Sequence, residues 1–143
     1  MQQNQLYINI LIKLAKKASK KNEVPVAAII VNQGKIIAKA YNTRNRSNKT
    51  TDHAEIKVII KANKKLKSWR LNKCTLYVTT EPCDMCKNVI KESRIEQVFY
   101  LLPRPNNKKI YNKTTFNLVN NEETKEYKEK YQKISKNFWE NKR

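Results

Sequence analysis

Apolar residues recur at helical spacing near the beginning of the chain. This spacing predicts an amphipathic helix over residues 4–21 with lysines on its outer face. The continuous apolar run 24–31 that follows is typical of a strand buried on both faces. A turn-like stretch at 32–35 separates it from a second β-prone run that ends at Tyr41, and the two runs predict a hairpin.

The rest of the chain alternates between helical and extended patterns. The predicted helices cover 53–66, 84–92 and 122–141, and the predicted strands cover 74–79, 95–101 and 115–119. Strands that alternate with helices favour an α/β sheet that is mainly parallel after the first hairpin. Because no repeat or linker interrupts the pattern, we expect one domain over residues 1–143.

Length and cysteine content narrow the class of protein. A chain of 143 residues suits one domain with a sizeable core. No run of 18 or more apolar residues appears, so no membrane span is expected. The first residues lack the basic start and apolar core of a signal peptide, and we expect a cytoplasmic protein. Three cysteines in such a chain favour metal binding or free thiols over disulfides.

The charge of the chain is strongly one-sided. Lys and Arg total 31 against 12 Asp and Glu, which gives a formal net charge of +19. A general drift towards Lys, Asn and Ile would explain part of the lysine excess, but it does not explain the scarcity of acids. A field of this sign attracts polyanions, and the composition therefore predicts contact with nucleic acid.

Two cysteines follow a proline at the boundary between a predicted strand and a predicted helix. Cys83 and Cys86 are three residues apart and therefore share a helix face. Pro82 suits the first helical turn. A helix N-terminus favours the thiolate form that binds metals. Two thiolates are too few for a closed zinc site, which takes four ligands.

His53 is the single histidine of the chain and begins another predicted helix. A lone histidine is more often structural than a ligand, so the cysteine pair carries the argument. Both features lie at strand-to-helix junctions, where open α/β sheets gather their sites. One His and two Cys leave the fourth tetrahedral position open, which is typical of catalytic zinc.

Glu55 lies two residues after His53, about 200° away around a regular helix. The geometry of a first turn is looser, so both side chains can reach one site. Glu55 could instead be a helix-terminal acid stabilised by the dipole. Because the chain also has the cysteine pair, we predict that Glu55 acts as a general acid and base.

The motif His53-Ala54-Glu55, followed by Pro82-Cys83-Asp84-Met85-Cys86, resembles the zinc-dependent nucleoside and nucleobase deaminases. Further motifs are similar to the bacterial tRNA adenosine deaminases within that superfamily. They lie at 22–26, 41–44, 75–83, 93–95 and 138–139. The resemblance covers residues 6–143. It implies a three-layer α/β/α cytidine deaminase-like fold with a central mixed five-stranded sheet.

The resemblance also assigns roles to the metal-binding motifs. It implies one zinc ion per chain, bound by His53, Cys83 and Cys86, with Glu55 moving protons during hydrolysis. Two other classes stay open. A deaminase of a free nucleobase or nucleotide (cytosine, guanine or dCMP) could share the ligands, although it has little use for the charge. A non-catalytic, zinc-stabilised RNA-binding protein would not need Glu55.

The substrate implied by the resemblance is the wobble adenosine of a tRNA anticodon loop, converted to inosine. Asn42 matches an asparagine that hydrogen-bonds the base, and Ala54 lines the pocket. Arg44 matches a loop arginine of the family, and it either contacts RNA or is a solvated loop residue. Single-stranded loop bases are extruded while basic residues hold phosphates. The resemblance further implies a homodimer.

The chain departs from the family pattern at three places. Ala27 stands where glycine is usual, and Asp52 stands where an apolar residue usually precedes the histidine. Asp52 could cap the next helix, orient His53 or disturb the site. The segment 101–113 is shortened and lacks the usual small residues, so no RNA contacts are carried over to it.

Overall fold

The computed structural model describes residues 2–104, 114–119 and 121–141. The chain divides into two compact units, Met1–Asn106 and Asn107–Arg143, and each is described by itself. The single domain expected over residues 1–143 stays a prediction. Most of the atypical segment 101–113 lies outside the described residues.

The elements of the first unit follow the predicted pattern closely. They are α1 (Gln2–Lys20), β1 (Ala27–Asn32), β2 (Lys35–Tyr41), α2 (Arg44–Ser47), α3 (Ala54–Leu66), β3 (Cys74–Thr80), α4 (Asp84–Glu92) and β4 (Gln97–Leu102). Among the described residues, none of the helices combines the length and the apolar character needed to cross a membrane.

The sheet is mixed, as predicted, but its pairing differs from the mainly parallel arrangement that we expected. Its order is β2-β1-β3-β4. β1 pairs antiparallel with both β2 and β3, and the pair β3–β4 is parallel. The alternation of strands and helices does give β2, β3 and β4 one common direction. β1 runs the opposite way and lies between β2 and β3, which replaces one of the expected parallel pairs.

Helices cover both faces of this sheet, which gives the three layers that were predicted. Successive side chains of β1 point to opposite faces. Ala28 and Ile30 pack in a core with α3 and α4. Ile29 and Val31 pack in a second core against α1. Burying an isoleucine side chain contributes about 1.5–3 kcal/mol, so the run predicted to be buried on both faces stabilises both layers.

The described part of the second unit is mainly helical. A 3-10 turn at Glu122–Thr124 leads into α5 (Lys125–Glu140), which confirms the predicted final helix. The Asn121 side chain accepts a hydrogen bond from the Thr124 N–H and caps the turn. The prediction of a strand over 115–119 is wrong, because these residues do not form a strand. Strand propensity depends on a neighbouring edge. The sheet of the described residues therefore has four strands, not five.

The common direction of β2, β3 and β4 determines where polar side chains meet. Their carboxyl ends lie at one edge of the sheet, where open α/β sheets place their sites. Asn42 follows β2, Cys83 follows β3 and Arg104 follows β4. The helix α3, which begins after His53, starts at the same edge and completes the surroundings of the candidate site.

Candidate metal centre and adjoining pocket

The three predicted ligands lie at the starts of two helices. His53 is the residue preceding α3, and Cys83 is the residue preceding α4. Neither side chain caps its helix. Helices usually begin with Ser, Thr, Asp or Asn, whose oxygens bond the free N–H groups. Here the two capping positions carry side chains that face each other, and Cys86 joins them from the first turn of α4.

Their atoms have the spacing that a tetrahedral zinc ion requires. Nδ1 of His53 lies 3.6 Å from the sulfur of Cys83 and 3.5 Å from that of Cys86. All three ligand atoms lie within 4.8 Å of one another. Zinc bonds of about 2.0 Å to nitrogen and about 2.3 Å to sulfur, at a tetrahedral angle, place N and S about 3.5 Å apart. The three residues are thus positioned to bind one zinc ion, through Nδ1 of the imidazole.

The two thiols differ strongly in acidity. A hydrogen bond from Cys86 lowers the pKa of the Cys83 thiol to about 3, with a further contribution from His53 and against the effect of burial. The same hydrogen bond, together with burial and the Glu55 carboxylate, raises the pKa of Cys86. A metal ion is bound by thiolates. Zinc binding to both sulfurs therefore releases the proton that Cys86 otherwise holds.

Glu55 lies on the first turn of α3 beside the ligands. Its side chain is only 4% exposed. Burial raises the pKa of its carboxyl, although hydrogen bonding to its own backbone N–H opposes the shift. Among the described residues, its buried Oε1 has no hydrogen-bond partner. An unpaired buried acceptor costs about 1–3 kcal/mol, and a water or substrate that donates a proton to Oε1 would remove this cost.

Asn42 faces the same pocket from the loop that follows β2. The residue is 5% exposed, and its Oδ1 accepts the backbone N–H of Arg44 at 2.9 Å. This hydrogen bond fixes the orientation of the amide. Within the described part of the chain, Nδ2 has no acceptor, so it remains available as a donor towards the pocket.

Lys57 holds the loop of Asn42 against α3. Its Nζ donates to the carbonyl oxygen of Tyr41 at 3.1 Å and to Oγ1 of Thr43 at 2.9 Å. These two residues flank Asn42 in the sequence. Because Lys57 follows His53 by one helical turn, it links the loop directly to the helix that carries the metal ligand and Glu55.

A buried carboxylate holds the far side of the same loop. Glu23 is 4% exposed, and its two oxygens accept the backbone N–H groups of Asn45 and Arg46, both at 2.9 Å. Charge-assisted hydrogen bonds of this kind are stronger than neutral ones. Glu23 therefore fixes the short helix α2, whose first residue, Arg44, supplies the N–H that orients Asn42.

A pocket of about 210 Å³ joins these groups. Its lining includes every predicted site residue except Cys86, which is completely buried. The lining residues are Val24, Val26, Asn42, Arg44, His53, Ala54, Glu55, Thr80, Glu81, Cys83 and Arg104. Glu81 and Arg104 were not predicted as site residues from the sequence. The available signal was their position just beyond the ends of β3 and β4.

Glu81 joins the rim of the pocket to α4. Its Oε2 pairs with Nζ of Lys87 at 2.8 Å, and its Oε1 accepts the Arg104 N–H at 3.2 Å. The Lys87 hydrogen bond, with the Arg104 N–H, lowers the pKa of the Glu81 carboxyl. The short segment after β4 is thereby tied to the helix that carries Cys86.

The departures at Asp52 and Ala27 leave the ligands in place. The Asp52 carbonyl oxygen accepts the Thr43 N–H at 3.0 Å. Among the described residues, its carboxylate neither caps α3 nor bonds His53, so the two roles suggested for it are wrong. Ala27 is completely buried in the core beneath α1, where its methyl group is accommodated.

Comparisons with known proteins agree with this geometry. Residues 1–102 match the family model of the cytidine and deoxycytidylate deaminase zinc-binding region. The chain is 48% identical over 100 residues to a tRNA-specific adenosine deaminase of Bacillus subtilis, covering 70% of this chain and 62% of that protein. It is 44% identical over 94 residues to that of Aquifex aeolicus, covering 66% and 62%. The chain thus spans less than two thirds of these relatives.

Solved structures give the same picture. One, from a study of A-to-I editing by tRNA:A34 deaminases, has a TM-score of 0.70 and 36% identity, covering 71% of this chain and 74% of that one. A guanine deaminase from Bacillus subtilis has a TM-score of 0.74 and 27% identity, covering 90% and 93%. With the matched family model and the zinc-spaced His53, Cys83 and Cys86, the chain belongs to the family of the cytidine and deoxycytidylate deaminase zinc-binding region.

Proposed function

We propose that the protein hydrolytically deaminates adenosine to inosine at the wobble position of a tRNA anticodon. The observation that carries the proposal is the unpartnered Oε1 of Glu55, which lies buried beside the ligand set His53, Cys83 and Cys86. A purely structural zinc site would have a fourth protein ligand and no need for this carboxylate.

The chemistry follows from the groups around the pocket. When bound, zinc supplies a water nucleophile of lowered pKa. Glu55 accepts a proton from that water at Oε1, delivers it to N1 of adenine and then assists the departure of the amino group. A C6–O bond forms, the C6–N bond breaks and ammonia leaves. The burial that raises the pKa of Glu55 suits a group that must both take and give a proton during the reaction.

The base is held by other groups of the pocket lining. Nδ2 of Asn42 donates to a ring nitrogen of the flipped base, and the small side chain of Ala54 contributes to the wall beside it. Arg44 and Arg104 are exposed residues of the pocket lining, on segments that follow different strands, where they can contact phosphates that flank the base. A flipped base with its phosphates held outside is the usual arrangement for enzymes that act on nucleic-acid bases.

Two observations support tRNA as the substrate, namely the net charge of the chain and the names of its relatives. A net charge of +19 suits a polyanionic substrate. The curated relatives are named tRNA-specific adenosine deaminases. The homodimer implied by the family resemblance belongs to the same proposal, and sedimentation of the zinc-loaded protein tests it.

Incubation with an anticodon stem-loop that carries a wobble adenosine is the direct test, with inosine as the readout. We predict turnover of the stem-loop and little turnover of free adenosine. The rate at subsaturating RNA should fall about a hundredfold between about 50 and 200 mM salt if about five phosphates are contacted. Equal turnover of free adenosine and RNA, with no effect of salt, would contradict the choice of substrate.

A second candidate function is deamination of a free nucleobase. The similarity to the guanine deaminase of Bacillus subtilis over 90% of the chain favours including it. Guanine, cytosine and dCMP are therefore assayed beside the stem-loop. Faster turnover of one of them would replace the RNA with a small-molecule substrate while leaving the roles of His53, Cys83, Cys86 and Glu55 unchanged.

Lys57→Met is predicted to lower kcat/KM about tenfold while the zinc content stays the same. Methionine keeps the apolar stem but removes the hydrogen bonds that flank Asn42. A charge-assisted hydrogen bond contributes about 1.5–3 kcal/mol. We expect part of this free energy to stabilise the orientation of Asn42. Steady-state kinetics on the stem-loop measures the loss.

Lys61→Met is the matched control, because Lys61 lies one turn further along α3 and its Nζ bonds the Lys39 carbonyl oxygen at 2.8 Å. We expect it to change kcat/KM little. If Lys57 acts through Asn42, the double variant with Asn42→Ala loses little more than Asn42→Ala alone. Fully additive losses would reject the positioning role.

A further inference from the structure

An exposed aromatic side chain surrounded by cations lies at the end of α3 that is remote from the pocket. The Trp69 side chain is 55% exposed. The guanidinium carbon of Arg70 lies 4.8 Å from the centre of its rings, and that of Arg94 lies 5.5 Å from it. Lys64 and Lys67 line the same shallow cleft. We call these five residues the Trp69 patch.

Hydrogen bonds fix the backbone of this patch. Nδ2 of Asn63 donates to the carbonyl oxygens of Ser68 at 3.1 Å and Trp69 at 3.4 Å. Oγ of Ser68 accepts the Arg70 N–H at 3.0 Å. The turn that carries Trp69 and Arg70 is therefore set before any partner arrives, which reduces the entropy lost on binding.

Arg94 reaches the patch from the turn after α4, and it is also held. Its Nη1 donates to the carbonyl oxygens of Lys91 and Glu92, both at 3.4 Å. The Leu71 N–H donates to the Ser93 carbonyl oxygen at 2.7 Å and joins this turn to the segment of Trp69. Two separate parts of the chain thus bring their arginines to one indole.

The charge around the patch is almost entirely positive. Between Glu55 and Glu81 the sequence has seven Lys and Arg residues and no Asp or Glu. Glu92 lies 4.0 Å from Arg94, but it is largely exposed and screened by water. Within the described ranges, no carboxylate forms a salt bridge with Arg70. Its guanidinium donors remain available to an anion.

We propose that the Trp69 patch is a second RNA-binding surface, which contacts the phosphate backbone away from the deaminated base. The guanidinium fork matches phosphate geometry. Aromatic and guanidinium planes together are the usual platform for RNA bases. Protein–protein interfaces are instead depleted in lysine at their centres. This inference rests on the proposed function, because it takes RNA as the substrate.

The position of the patch defines the size of that RNA. α3 has 13 residues, and a rise of about 1.5 Å per residue separates its two ends by about 20 Å. The pocket lies at the N-terminal end of α3 and the Trp69 patch at the C-terminal end. A substrate that engages both must extend about 20 Å from the flipped base, so a folded RNA stem binds better than a short oligonucleotide.

Direct binding of zinc-loaded protein to a full-length tRNA with a wobble adenosine tests the proposal, since it needs no turnover. For Arg70→Gln/Arg94→Gln we expect about a tenfold higher Kd. The slope of log Kd against log salt should fall by about 1.4, because each lost phosphate contact removes about 0.7. The matched control, Lys13→Gln/Lys16→Gln, removes the same charge from the exposed face of α1 and should keep the parent slope.

A second measurement does not depend on the stability of the arginine variants. In a Trp139→Phe background Trp69 is the remaining tryptophan, and tRNA binding should quench its fluorescence. An unchanged fluorescence, or a salt slope equal to that of the control pair, would overturn the proposal. A change in sedimentation of the arginine variants with unchanged RNA binding would overturn it too, and would assign the patch to a second protein chain. If the parent protein binds tRNA but does not deaminate it, the result contradicts the proposed function and leaves the RNA-binding role of the Trp69 patch in place.

Discussion

Glu55→Gln is expected to reduce deamination about a thousandfold or more while zinc remains at about one ion per chain. Glutamine keeps the shape of the side chain but cannot accept the proton of the attacking water. General acid–base catalysis typically contributes about 10²–10⁴-fold, and here one carboxylate serves both proton transfers. Inosine formation on the anticodon stem-loop measures the loss, and metal analysis of the same sample measures the zinc.

The folded state should tolerate this change well. Oε1 of Glu55 has no hydrogen-bond partner among the described residues, and burial already disfavours the ionised form. A neutral side chain removes that unfavourable charge, so thermal unfolding is expected at the same or a higher temperature. Activity within tenfold of the parent, at equal zinc content, would reject Glu55 as the proton carrier.

Cys86→Ala is expected to abolish both zinc binding and activity. Cys86 is completely buried, and its sulfur lies 3.5 Å from Nδ1 of His53. The two remaining ligands cannot hold zinc tightly, because catalytic zinc sites have three protein ligands. The zinc content should fall from about one to near zero, and the unfolding temperature should no longer respond to a chelator.

Cys74→Ala provides the matched control for this experiment. Cys74 is also a buried cysteine, but it lies at the start of β3 in the core beneath α3 and α4, outside the ligand set. Its loss should cost some stability through the lost packing and leave zinc at one per chain. If Cys74→Ala removed the metal as completely as Cys86→Ala, the ligand assignment would be wrong.

The ligand set could be predicted from sequence because short-range signals, such as helix starts and residue spacing, were sufficient to locate all three ligands. The Pro82-Cys83 pair and the three-residue spacing to Cys86 define a helix start, and His53 begins another helix. Parallel strand directions then bring helix starts to one sheet edge. The sequence did not indicate that Nδ1 of His53 faces the thiols, since the ring orientation depends on packing around both helix ends.

Other features escaped prediction because they depend on contacts between distant residues. The sequence around Lys57 carries no signal that separates it from the other lysines, and only the fold places its Nζ beside the Tyr41 carbonyl oxygen and Oγ1 of Thr43. The strand predicted over 115–119 was wrong because an alternating pattern forms a strand only where a free edge accepts it. The position of β1 between β2 and β3 likewise follows from sheet order, which no single segment encodes.

That position of β1 has a kinetic consequence. The hairpin β1–β2 can form early, since a short turn joins its strands. The β1–β3 ladder pairs Ala28 with Val78, some fifty residues away, so its closure is slow. His53 and Cys83 precede and follow the segment that contains β3, so we expect them to meet only after β3 has paired with β1. Zinc capture during refolding should therefore lag behind hairpin formation, and the rate of metal uptake would report the closure of the sheet.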